Sequence, residues 1–228
     1  MNQKQLIELV TEVVYRHLKD QKKDKIECQI LDKDTIPIGI SNRHVHLSQG
    51  DLEALFGKNV NLRIFKELSQ PGQYACVETV TLVGPKGVIE KVRVLGPTRD
   101  KTQVEISLSD CFKLGVQAPI RDSGKLQGSV GLTLVGPAGA VTINEGTMIA
   151  ARHIHMHTSD ALKLGVKDGD KVNVKTSGQR VMVFLEVLVR VSDKYKLEMH
   201  VDIDEANAAS LKNGDTVQLI NFSDSCFN

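Results

Sequence analysis

The sequence predicts a mainly β protein: two small, related β-barrel units with short capping helices, preceded by an N-terminal amphipathic helix. Three observations carry this. Beyond about residue 35 the chain breaks into short β-branched or alternating runs, such as "TIPIGI", "VETVTLVG", "GVIEKVRVLG" and "VMVFLEVLVRV". Gly, Pro, Asn or Asp punctuates most of the gaps between them, as turns require. Several segments also recur along the chain. Many short strands with few short helices suit small closed barrels better than a parallel α/β sheet.

The elements follow in order. Residues 4–18, "KQLIELVTEVVYRHL", place Leu6, Ile7, Val10, Val13 and Val14, with His17 or Leu18, on one side of a helix. The charged "KDQKKDK" after it reads as a solvated linker. The helix has two readings: a cap packed on the chain's own core, or a detachable peptide whose apolar face docks in a partner's groove. The strand-like runs continue with "QVEISL", "SVGLTLVG", "AVTI", "KVNVKT", "LEMHVDI" and "TVQLI". Short helices are expected at 48–56, 108–114, 159–164 and 204–211, each with Ser, Thr or Asp near its start as an N-cap. The expected organisation is a helix over 1–20, a linker over 21–34, a first β unit over 35–130 and a second over 131–228, with exchange of strands between units allowed.

The repeats support two related units. "TLVGPKG" at 81–87 recurs as "TLVGPAG" at 133–139, and "DCFKLGV" at 110–116 as "DALKLGV" at 160–166. "RHVHLSQGDL" at 43–52 recurs as "RHIHMHTSDA" at 152–161, and "VKDGDKVNV" at 166–174 resembles "LKNGDTVQL" at 211–219. The spacings differ, so this is no solenoid of fixed period.

Composition removes several function classes. A net charge of +1 gives no global case for nucleic acid or membrane binding, and 4% aromatic residues without Trp argue against a base-stacking surface. No apolar run approaches the roughly 20 residues that span a bilayer, and no secretory signal is evident. Cys28, Cys76, Cys111 and Cys226 lack C-x-x-C pairing and read as free thiols of a reduced compartment.

The histidines point to chemistry. Of seven, His44 and His46 form one H-x-H pair, His153 and His155 a second, with His157 following and His200 on a strand-like run. Alternate residues on a strand share a face about 6.6 Å apart, so two imidazoles can lean onto one metal at about 2.0–2.1 Å. A catalytic site usually has three protein ligands and an open position, so each pair calls for one more ligand. His200 lies beside Asp202 and Asp204 on one strand-like run, and Glu105 offers a carboxylate on another. Such ligands suit zinc best, with Co, Ni or Fe as alternatives. His157 is expected one step past the strand end, in solvent. Arg99, six residues before Glu105, could fork onto a phosphate, but by itself reads as well as a surface turn residue. There is no P-loop and no dinucleotide fingerprint.

The segments "GISNRHVHLS", "LSQPGQYA", "VRVLGPTRDKTQVEIS", "APIRDSGKLQGSVG", "ARHIHM", "LGVKDGD" and "MHVDIDEANAA" together resemble the PduL-type phosphate propanoyltransferases, a family of phosphotransacylases. The resemblance covers about residues 36–220. It implies two β-barrels with a dinuclear zinc site between them, and the exchange acyl-CoA + phosphate ⇌ acyl phosphate + CoA with a propanoyl or acetyl group. It implies His44, His46 and Glu105 on one zinc, His153, His155 and His200 on the other, and Arg99 on phosphate. Ser41, Asn42, Arg43, Lys66, Arg93 and Asn207 are candidate contacts to coenzyme A. The resemblance further implies a bacterial microcompartment, with shell proteins bound through residues 4–18, and a homo-oligomer is expected. The rival readings are a dinuclear zinc hydrolase of thioesters or phosphate esters, and a non-catalytic metal-stabilised microcompartment protein.

Overall fold

The computed structural model describes residues 29–221, together with residues 11 and 12, which are helical. Apart from those two, the helix expected over 4–18 lies outside the described residues, as do Cys28 and Cys226.

The described chain is built from one module used four times: a strand, a short helix, then a hairpin whose last strand lies parallel beside the first. Strand β1 (Gln29–Ser41) opens the chain but is the last strand of the fourth module. The first module is β2 (His44–His46), α1 (Gln49–Phe56), a short edge strand β3 (Ile64–Glu67), β4 (Tyr74–Val83) and β5 (Val88–Gly96), with β2 and β5 parallel. The second is β6 (Gln103–Glu105), α2 (Leu108–Leu114), the short β7 (Ile120–Arg121), β8 (Val130–Val135) and β9 (Ala140–Ala150), with β6 and β9 parallel. The third is β10 (His153–Met156), α3 (Thr158–Leu164), β11 (Lys171–Thr176) and β12 (Val183–Val191), with β10 and β12 parallel. The fourth is β13 (Glu198–Asp202), α4 (Ile203–Ala209), β14 (Thr216–Asn221) and, from the other end of the chain, β1, parallel to β13.

Two modules close one barrel. The first ring runs β2–β5–β4–β8–β9–β6 and back to β2. The second runs β10–β12–β11–β14–β1–β13 and back to β10. The mainly β architecture of two related barrels with short capping helices is therefore the observed one. The rings do not divide the chain at a single point, because β1 completes the C-terminal ring while β8 and β9 complete the N-terminal one. Residues 29–34, within the segment expected as a linker, belong to β1.

The four-module description accounts for all the sequence repeats, which two units alone leave unexplained. The "TLVGP" segments are the hairpins of modules one and two, and the "KLGV" segments end the helices of modules two and three. Those helices stop alike, at Gly115 and Gly165 with φ 76° and 67°, a left-handed conformation that glycine adopts without a Cβ clash. The two "GD" segments lead into β11 and β14, the matching strands of modules three and four.

Alternation makes each barrel work. Along β4 and β5, Val80, Leu82, Ile89, Val92 and Val94 face a core that also takes Val45 and Val104. The second core gathers Ile36, Ile38, Ile154, Met156, Val187, Val189, Met199 and Val201. Residues one out of phase with these point outward. The barrels even share an irregularity: β5 and β12 each bulge against their hairpin partner near a residue with positive φ, Lys91 (57°) and Glu186 (53°). A bulge bends a strand and tightens its twist, as closing a small ring demands.

Candidate metal centres on the facing barrel strands

The first strand of each module carries its chemistry on the outward face. On β2, Val45 fills the core and His44 and His46 point out; on β6, Val104 does the same for Gln103 and Glu105. The antiparallel register sets His44 opposite Glu105 and His46 opposite Gln103. On β10 and β13 the same register sets His153 opposite His200 and His155 opposite Glu198.

In the first barrel, His44, His46 and Glu105 bring one ligand atom each within 4.8 Å of one another. The His44 ring is held by Nδ1, which donates to the Asn42 carbonyl at 2.8 Å, leaving Nε2 aimed at Glu105 Oε2 at 3.5 Å. The other oxygen, Glu105 Oε1, accepts from Gln103 Nε2 at 2.5 Å and from Ser123 Oγ at 2.8 Å. The carboxylate is thus anchored by one oxygen and presents the other. Burial opposes its charge, but the neighbouring His44 and the Ser123 hydroxyl hold its pKa well below the ordinary carboxylate range. Burial and the adjacent positive groups, His44 and Arg99, push His46 down to about 2. Burial likewise works against a charge on His44, yet Glu105 outweighs it and raises the pKa.

In the second barrel, His153, His155 and His200 form the equivalent group within the same 4.8 Å. His153 Nδ1 donates to the Ala151 carbonyl at 2.8 Å, matching His44. Its Nε2 lies 3.1 Å from His155 Nε2, near the ~3.3 Å edge of a tetrahedron with 2.0–2.1 Å bonds. His155 Nδ1 is buried and has no hydrogen-bond partner among the described residues. Burial is the main cause that lowers His153 to about 4 and His155 to about 3, so both rings are neutral and offer lone pairs. Glu198 Oε2 accepts from His200 Nε2 at 2.7 Å. The two sets therefore fit a divalent cation each: imidazoles and a carboxylate converge, and backbone carbonyls orient His44 and His153 through Nδ1.

The barrels meet at these faces. Ser69 Oγ, from the β3–β4 loop of the first barrel, donates to Glu198 Oε2, and Gln70 Nε2 donates to the Lys196 carbonyl at 2.9 Å. The backbone N–H of Ser109 donates to Asp204 across the interface at 2.8 Å. Gly39, paired with His200, allows this packing, because a Cβ there would sit 2.8 Å from Glu198 Cδ and 3.0 Å from His200 Cδ2.

The arginine before each H-x-H pair does similar work in both halves. Arg43 Nε donates to Asp110 at 2.8 Å, and Arg152 Nη1 to Glu205 at 2.8 Å. Asp110 and Glu205 are the capping-box acids of α2 and α4, the helices that follow the strands of Glu105 and His200. Each arginine thereby ties the histidine pair to the strand carrying the third member.

Arg99 lies beside the first cluster. Its N–H donates to the Leu47 carbonyl at 2.9 Å, and its half-buried side chain has no ion-pair partner among the described residues. With His46, Gly96, Pro97 and the 71–73 loop it lines a cavity of about 270 Å³. The other expected residues scatter around this site. Ser41 ends β1 and Asn42 is exposed, both just before His44. Arg93 pairs with His44 in register, donates from Nη1 to the Cys76 and Val77 carbonyls, and stacks 5.1 Å over the Phe65 ring. Lys66 and Asn207 are exposed on β3 and α4. His157 is not simply solvated past the strand end: it is the N-cap of α3, its Nδ1 accepting from the Ser159 N–H at 3.2 Å. Ser48, Ser107 and Asp202 hold the same position in the other modules. Sequence reasoning missed Gln103, Ser123, Gln70 and Glu198, which orient the clusters. The signal that would have found Gln103 and Glu198 is their place two residues before a candidate ligand on a strand.

Known proteins resemble the chain over most of its length. The profile of the phosphate propanoyltransferase family matches residues 37–212. The chain is 57% identical over 196 residues to the phosphate propanoyltransferase of Thermotoga maritima, covering 85% of this chain and 93% of that protein. It is 51% identical over 205 residues to that of Rhodobacter capsulatus (86% and 95% covered), and 49% identical over 216 residues to that of Priestia megaterium (95% and 95% covered). Matched nearly from end to end by these relatives and over most of its length by the profile, the chain belongs to the phosphate propanoyltransferase family and is an acyltransferase.

Proposed function

We propose that the protein exchanges a short acyl group, propanoyl or acetyl, between coenzyme A and phosphate at a site built on two zinc ions. The observation that carries this reading is the pair of three-residue clusters on facing strands of two barrels, with the unpaired Arg99 beside them. The donor sets, two imidazoles with a carboxylate and three imidazoles, suit zinc best, with Co, Ni or Fe as alternatives. Bound there, such ions would supply Lewis acidity and favour the thiolate form of the coenzyme sulfur.

The protein's own groups do the rest. His44, His46 and Glu105 are the proposed seat for the sulfur end of coenzyme A, a reading supported by the cavity that His46 lines. Arg99 offers a planar fork to phosphoryl oxygens and offsets charge as the acyl carbon is attacked. No covalent acyl-enzyme is invoked. Cys76 is fully buried in the first core with its thiol pushed up to about 11 by burial, and burial raises Cys111 as well. Direct transfer between two substrates held in one groove needs only proximity and orientation. Ser41, Asn42, Arg43, Lys66, Arg93 and Asn207 are the proposed contacts to the coenzyme. The places of Ser41 and Asn42 before His44, and of Arg93 beside it, support this. Arg43 also supports the site through Asp110. Residues 4–18 are the proposed shell-binding peptide of an enzyme housed in a bacterial microcompartment, supported by their amphipathic spacing and charged linker. A homo-oligomer is part of the same reading.

Incubating propanoyl-CoA or acetyl-CoA with the protein, with and without phosphate or arsenate, and following free thiol tests the reaction. Thiol release that requires the oxyanion is expected. Release at the same rate without it would mean a thioester hydrolase, and none at all with metal present would leave a structural metal protein.

A further inference from the structure

Strand β12 runs parallel to β10, and its register sets Arg190 directly beside His155. Val187 and Val189 fill the core of the second barrel, so Arg190, one residue out of phase, faces outward with His153 and His155. It is half-buried there, and among the described residues no carboxylate lies within ion-pair distance. Its charge couples to His153, His155 and Asp122, and also to Arg99 on the first barrel. Two guanidinium groups, one from each barrel, therefore face the groove between the clusters, and among the described residues neither has a carboxylate within ion-pair distance. Burying like charges without a partner costs free energy unless an anion offsets them. The fold itself does not ask for this charge: continuing the β2–β5 register, Leu95 holds the matching position in the first barrel.

We propose that Arg190 is a second phosphoryl-binding residue, gripping the oxyanion from the second barrel while Arg99 holds it from the first. The ligand class is a tetrahedral phosphoryl group, as inorganic phosphate in one direction and acyl phosphate in the other. The phosphate site is then assembled only when the two barrels are docked. This rests on the acyl-transfer reading above.

The test uses the full-length, metal-loaded protein and its Arg190→Gln and Arg190→Lys variants. Inorganic phosphate is titrated by calorimetry, and KM is measured separately for phosphate and for acyl-CoA, with metal content and circular dichroism as controls. Arg190→Gln is expected to weaken phosphate binding about tenfold or more, the scale of a lost charge-assisted pair, and to raise KM for phosphate alike. KM for acyl-CoA should stay within about twofold. Arg190→Lys keeps the charge without the fork and should recover part of the loss. Phosphate affinity unchanged in Arg190→Gln would overturn the proposal. Should that variant not fold, unchanged phosphate affinity in Arg190→Lys would overturn it too. An unsubstituted protein that neither binds phosphate nor transfers an acyl group would instead sink the functional reading itself.

Discussion

The two barrels place the same four positions around each cluster but fill them differently. In the first barrel the third member is a carboxylate, Glu105, supported by the neutral Gln103. In the second the third member is an imidazole, His200, supported by the carboxylate Glu198. Charge has changed places between the inner position and the supporting one. A divalent cation on the first seat would be partly neutralised by direct contact with Glu105. On the second it would meet three imidazoles and keep more of its charge for an incoming anion. Near-symmetric scaffolding therefore yields two unlike clusters.

The sharpest way to break this comparison is to remove one third member at a time. Glu105→Ala and His200→Ala should each lower bound metal by one ion per chain and cut acyl transfer by about a thousandfold or more. Elemental analysis beside a thiol assay reads both, and a variant that keeps two ions would show that its residue is no ligand. A smaller effect separates the supports. Glu198→Gln should weaken metal retention about 10–100-fold, the usual scale for a lost outer hydrogen bond to a ligating histidine. Competition with a chelator measures it, and equal loss from both seats would show that Glu198 does not act through His200. The smallest effect concerns His157. His157→Ala should cost about 1 kcal/mol as a lost N-cap and about 2–4 °C in Tm, with metal content and kcat unchanged. His157→Ser should restore the Tm, whereas loss of an ion would make His157 a ligand.

Some of the site was legible because it is local. H-x-H on a strand points two rings one way whatever the rest of the chain does. The helices begin where Ser107 and Asp202 can cap them, so their bounds are written in a few residues. The repeats were visible but coarse: each pair of matching segments links two modules, and no segment runs through all four, so the chain reads as two units. Gln103 and Glu198 were legible only by their place two residues before a candidate ligand, and Arg190 was not, since a single polar residue on a strand carries no pattern of its own. His157 extends an alternating histidine run that its place in the module, the N-cap, explains.

The sequence by itself determined the strand period, the turns, the helix caps and which side chains share a face, because these depend on neighbours a few residues apart. Only the tertiary structure decided that β1 closes the C-terminal barrel, that Glu105 rather than another carboxylate meets the first histidine pair, and that arginines from two barrels face one groove. Those outcomes depend on ring closure and strand register between segments far apart in the chain, where the hydrophobic face fixes the pairing and the outward residues follow it.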